Sequence, residues 1–161
     1  MKKILVSTMT MLLLVLVITS ATLAAPAAER ELLLKGSLQA HETYQVSFPT
    51  LFVTASGSGE ATQLGRYAVS YQVEVNIPTD TGIASAQYVA ANGDSFFAEG
   101  IGHATEDNEE TPIIVTIVEN YTITGGTGRF AGASGNFTVE RVLDLSTGVT
   151  SGTLNGKIVL P

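Results

Sequence analysis

The sequence predicts an all-β fold: a single eight-stranded antiparallel up-and-down barrel, preceded by a signal peptide. Three observations predict it. Period-2 alternation of apolar and polar residues recurs from about Glu31 onward, whereas helical 3.6 periodicity is hard to find. Turn signals interrupt the alternation at short intervals. The apolar positions also keep to one face when successive runs are folded back on each other as hairpins. A sheet with one apolar face and no helix to cover it must close on itself or pack as a two-sheet sandwich. Runs of about 10–12 residues joined by near-neighbour hairpins favour the barrel.

Residues 1–24 read as a leader and 25–161 as the barrel domain. Lys2 and Lys3 form a positive start, an apolar stretch is densest from Met11 to Ile18, and small residues follow from Thr22 to Ala28. This is the order of a secretory signal peptide, cut after Ala24 or, alternatively, Ala27. The unbroken apolar run is far shorter than the roughly 20 residues of a membrane span. A retained N-terminal anchor is the alternative reading. No later run is long enough to span, so a secreted or periplasmic location is expected.

The clearest strand is Arg66–Ile77, whose odd positions are Tyr67, Val69, Tyr71, Val73, Val75 and Ile77. Pro112–Thr124 repeats the pattern with Ile113, Val115, Ile117, Tyr121 and Ile123, and Ser134–Leu145 with Phe137, Val139, Leu143 and Leu145. Val, Ile, Thr and Tyr suit a pleated, half-buried surface. Between the runs lie Pro78–Gly82, Asn92-Gly93, the acidic Glu106–Glu110, Gly125–Gly128 and Thr147-Gly148. A two-residue type I′ turn at Asn92-Gly93 would pair Ala91 with Asp94 and set Tyr88 opposite Phe97. A turn at Thr147-Gly148 would pair Ser146 with Val149 and put Leu154, Ile158 and Leu160 on the face of Val139 and Leu143.

The composition narrows the function. The chain has 161 residues, enough for one domain. Hydrophobic residues make up 45%, which argues against disorder. Charged residues are only 14%, against about 25% in an ordinary soluble domain. Cysteine is absent, which removes disulfides, thiolate metal sites and Cys nucleophiles together. The formal charge of −7 argues against nucleic acid or an anionic membrane surface as partner.

The stretch Ala91–Phe97, the segment Ile123–Val139 and the stretch Thr147–Gly156 carry a family resemblance. At its centre is the run Gly126-Thr-Gly-Arg-Phe-Ala-Gly-Ala133. The chain resembles small secreted bacterial proteins with an allene-oxide-cyclase-like barrel, related in fold to plant dirigent proteins. The likeness covers roughly residues 55 to 158. It implies an eight-stranded barrel with a central cavity, often trimeric. The glycine-rich run is a structural signature of that barrel, and no catalytic residue of either plant family is matched here.

Polar residues on the apolar face are the candidates for chemistry. Glu119 lies between Ile117 and Tyr121, and Arg141 between Val139 and Leu143. A symmetric turn near residue 130 would place the two opposite each other. Glu99, between Phe97 and Ile101, has the same parity on the preceding strand. A carboxylate facing the lumen is costly unless paired. Glu99, Glu119 and Arg141 are therefore expected to cluster on three adjacent strands, with Tyr67, Tyr71, Tyr88 and Tyr121 facing the same interior. Three roles are open: a structural ion pair fixing register, groups orienting a ligand in a cavity, or a general acid–base pair.

Other motifs say less. His103 lies four residues beyond Glu99, about 13 Å along a strand, too far for a catalytic hydrogen bond. His41 has no recognisable partner. Neither a Ser-His-Asp arrangement nor metal-ligand spacing is present. Gly125–Gly132 lacks the following helix and Lys of a phosphate loop. No cofactor or metal is expected, and catalytic residues are not identified. The expected function is a secreted barrel that holds a small, largely apolar molecule in its lumen or serves as a stable structural module. The alternative is a cyclase-like or stereochemistry-guiding enzyme, working by a shaped cavity.

Overall fold

The computed structural model describes residues 28–106 and 113–161. The predicted leader, 1–24, and most of the acidic Glu106–Glu110 connection lie outside the described residues. Eight strands follow in order: β1 Arg30–Ser47, β2 Thr50–Ala61, β3 Gly65–Asn76, β4 Thr81–Ala90, β5 Ser95–Glu106, β6 Ile114–Gly126, β7 Ser134–Asp144 and β8 Val149–Leu160. Each pairs antiparallel with the next and β8 pairs with β1, so the sheet closes. Following paired residues around the wall from Gln45 of β1 returns to β1 at Lys35, ten residues away. Eight strands with that stagger tilt steeply and leave an interior that side chains can nearly fill.

The walls are apolar inside and largely Thr, Ser, Asn and Gln outside, the inverse of a membrane-spanning barrel. Inward positions include Leu34, Leu38, Val53, Val69, Val73, Phe137, Val139, Leu143, Leu154 and Ile158, all buried. On the outside, Thr122 donates to the Asn136 side chain at 3.0 Å and Thr138 to Asn120 at 2.9 Å, tying β6 to β7.

The odd-parity rule holds for β3, β6 and β7 but fails on β5. The β4–β5 connection is one residue longer than a type I′ turn. Ala90 N–H donates to the Asp94 carbonyl and Gly93 N–H to the Ala90 carbonyl. Gly93 alone takes a positive φ, 90°. This is a type I turn followed by a left-handed glycine, the usual three-residue hairpin loop. Asn92 contributes its side chain instead, accepting from Asp94 N–H at 3.2 Å. Tyr88 therefore pairs with Phe96, not Phe97. Phe97, Glu99 and Ile101 turn outward, while Phe96, Ala98, Gly100 and Gly102 face the lumen.

Two other registers shift by two residues, which preserves the face. Val149 pairs with Asp144 rather than Ser146, and Ile117 rather than Glu119 pairs with Arg141. Leu145, at the end of its run, is exposed rather than inward.

The two ends of the barrel differ. At one end the glycine-rich run folds as a short 3-10 turn, Gly128–Phe130, and drives Phe130 inward until it is fully buried against Phe96, ring centroids 5.7 Å apart. Arg129 donates to the Gln63 carbonyl at 2.8 Å and draws the 62–64 connection across, where Leu64 is buried. Above this plug, Tyr88 stacks on Phe96 at 4.8 Å and Tyr121 on Phe137 at 5.1 Å. This end is sealed.

Candidate functional site

The opposite end is open. Its cavity is about 190 Å³. Leu51 and Val53 of β2, Val73 and Val75 of β3, Val115 and Ile117 of β6 and Leu143 of β7 supply apolar walls. Tyr44, Asp80, His103 and Leu145 stand at its rim, and Glu42, Glu119 and Arg141 form its floor. Larger depressions lie on the outer wall, where outward Ser, Gln and Thr side chains border them.

The floor is one polar network. Arg141 donates from Nε to Glu119 Oε2 at 3.0 Å and from Nη2 to Glu119 Oε1 at 3.4 Å. Its Nη1 donates to Glu42 Oε1 and, at 3.3 Å, to Thr150 Oγ1. Tyr71 donates to Glu42 Oε1 at 2.7 Å and Tyr44 to Glu42 Oε2 at 3.0 Å. The guanidinium carbon also sits 5.4 Å from the centre of the Tyr71 ring.

Small residues make this reach possible. Arg141 on β7 must cross β8 to meet Glu42 on β1, and Gly152 lies directly opposite it. A Cβ at Gly152 would come within 2.6 Å of Arg141 Cβ. Ala55 likewise separates Glu42 from Tyr71 in one row across β1, β2 and β3. On β5, a Cβ at Gly100 would strike the Tyr121 ring at 2.7 Å, and one at Gly102 would strike the Glu119 side chain.

The environment fixes the charge states. Burial alone disfavours the Arg141 cation, but Glu119, with Tyr71 and Glu42, more than offsets this and holds its pKa above the ordinary value. Burial pushes the Tyr71 phenol well up, with Glu42 and Glu119 adding to the shift and Arg141 opposing it. Tyr44 moves the same way for the same first cause. Both phenols are neutral hydrogen-bond donors at neutral pH.

Of the residues expected at the site, Glu119 and Arg141 meet as predicted, as diagonal rather than direct partners. Tyr67, Tyr71, Tyr88 and Tyr121 do face the lumen and are buried, but they fill it beneath the cavity rather than lining it. Glu99 is not part of the cluster; the longer β4–β5 turn puts it on the outer wall, exposed. Glu42, which sequence reasoning missed, takes its place. The alternation Leu34, Leu38, Ala40, Glu42 could have pointed to it. Its partner, however, is 99 residues away and two strands over. His41 is exposed on the outer face and His103 is exposed at the cavity rim.

Fold and site together define a closed eight-stranded barrel with one sealed end and one open, apolar-walled end over a buried ionic floor. No protein-family model matches the chain, and no curated protein is significantly similar to it in sequence.

Proposed function

We propose that this is a binding barrel of the secreted or periplasmic space, holding a small, largely apolar molecule in its open end. One observation carries the reading: the cavity of about 190 Å³ is walled by Leu, Val and Ile while the rest of the lumen is tightly filled. A purely structural barrel gains by filling such a space, since voids cost stability. Specific pockets are typically apolar with a few convergent polar groups. The floor supports binding over catalysis. Glu119 and Arg141 are 4% exposed and committed to each other, so neither is a free base or acid. That leaves an isomerase- or cyclase-like enzyme of the allene-oxide-cyclase or dirigent kind only the shape of the cavity to work by.

Calorimetric titration with 2-phenylethanol tests the reading. Binding is expected for the native chain and is lost in Val75→Phe, which fills the cavity from the half-buried wall. Equal binding by both proteins would overturn it.

A further inference from the structure

We infer that the open cavity selects its occupant by charge, preferring a small organic ammonium over the matching alcohol and excluding the matching carboxylate. The inference rests on the reading of the cavity as a binding site and adds the class of head group. Glu42, Glu119 and Asp80 bear on the cavity against a single guanidinium, Arg141. Arg141 has five N–H donors and four of them already donate within the floor, so it offers little to an entering anion.

Glu42 is used unevenly. Its Oε1 takes both Tyr71 and Arg141, whereas Oε2 takes only Tyr44 among the described residues. A carboxylate oxygen can accept two donors. Oε2 therefore keeps an acceptor position beside Tyr44, which itself lines the cavity. An ammonium seated on the floor would donate there with its apolar body against Val73, Val115 and Leu143. Hydrocarbon walls screen the surplus negative charge far less than water does. A carboxylate head would meet that same charge as repulsion. The volume slightly exceeds the roughly 150 Å³ apolar cavity that admits a benzene ring, so one ring with a two-carbon arm matches it.

Calorimetric titration of the purified chain at neutral pH and low salt tests this with 2-phenylethylammonium, 2-phenylethanol and 3-phenylpropanoate. The ammonium is expected to bind about tenfold tighter than the alcohol, and the carboxylate weaker than both, with the gap narrowing as salt is added. Because Glu42 is needed for the fold, the variant of choice is Asp80→Asn on the exposed 77–80 turn. It is expected to weaken the ammonium about threefold and leave the alcohol unchanged. A carboxylate or alcohol that matches the ammonium overturns charge selection while the binding role stands. Binding by none of the three overturns the binding role and the inference with it. An Asp80→Asn variant that spares the ammonium, or weakens the alcohol equally, removes Asp80 from the selection.

Discussion

Arg141 carries a full charge into a lumen whose other walls are mostly hydrocarbon, and all three of its nitrogens donate to Glu119, Glu42 or Thr150. Such a group is tolerated because it is paired, and removing one partner strands the others. Arg141→Ala leaves two buried carboxylates close together with no cation between them. Urea denaturation at neutral pH should show a loss of about 3–5 kcal/mol, unless the folded state is lost outright. A triple replacement of Glu42 and Glu119 by Gln with Arg141→Met should recover much of it; no recovery would mean that the ions serve more than pairing. At the same scale, Gly102→Ala should cost about 1–3 kcal/mol, because its Cβ strikes the Glu119 side chain and lies 2.8 Å from the Val118 carbonyl. Half of this cluster was legible in the sequence. Glu119 and Arg141 stand out as charges at apolar positions within strong alternation. Glu42 ends a similar alternation, but its pairing was not legible, because the β1–β8 seam that carries it to Arg141 is closed by no turn that a sequence reveals.

At the scale of the strand, face is decided by turn length, and a single residue reverses it. Ser95-Phe96-Phe97-Ala98-Glu99 admits either parity, since the adjacent phenylalanines serve equally well inside. Asn-Gly suggested a two-residue loop; the chain forms a three-residue loop because Asn92 caps Asp94 with its side chain and leaves only Gly93 left-handed. The outcome also suits the interior, where Gly100 and Gly102 leave room for Tyr121 and Glu119. Paired substitutions test the register directly. Phe96 is fully buried and Phe97 is 40% exposed. Phe96→Ala should therefore cost about 3–5 kcal/mol and Phe97→Ala under about 1. The reverse order would restore the shorter loop and return Glu99 to the lumen. Elsewhere the alternation alone placed Arg66–Ile77, Pro112–Thr124 and Ser134–Leu145 within one or two residues of β3, β6 and β7, because long half-buried strands leave period 2 little freedom.

Across the whole molecule, the five tyrosines tie stability to alkaline pH. Burial is the first cause that raises every one of them, Tyr44, Tyr67 and Tyr71 as well as Tyr88 and Tyr121. In the unfolded chain each phenol ionises near pH 10. A folded pKa above the unfolded one means the native state holds its proton longer. The resulting stabilisation is fully present below pH 10 and is lost as pH climbs past it, because the unfolded state is then the one that sheds protons. Stability should be insensitive to these groups at neutral pH, then fall with a slope that steepens as five phenols ionise on unfolding. Near-ultraviolet absorbance should accordingly show little tyrosinate through pH 10, then a single cooperative rise coinciding with loss of the β-sheet circular dichroism signal. A gradual rise centred near pH 10 with the sheet intact would mean that the lumen admits hydroxide and that the aromatic interior is not sealed. The partly exposed Tyr44 separates the two compartments. Tyr44→Phe should leave the cooperative rise in place while removing one hydrogen bond to Glu42, whereas Tyr88→Phe acts within the sealed half, among the rings of Tyr67, Phe96 and Phe137.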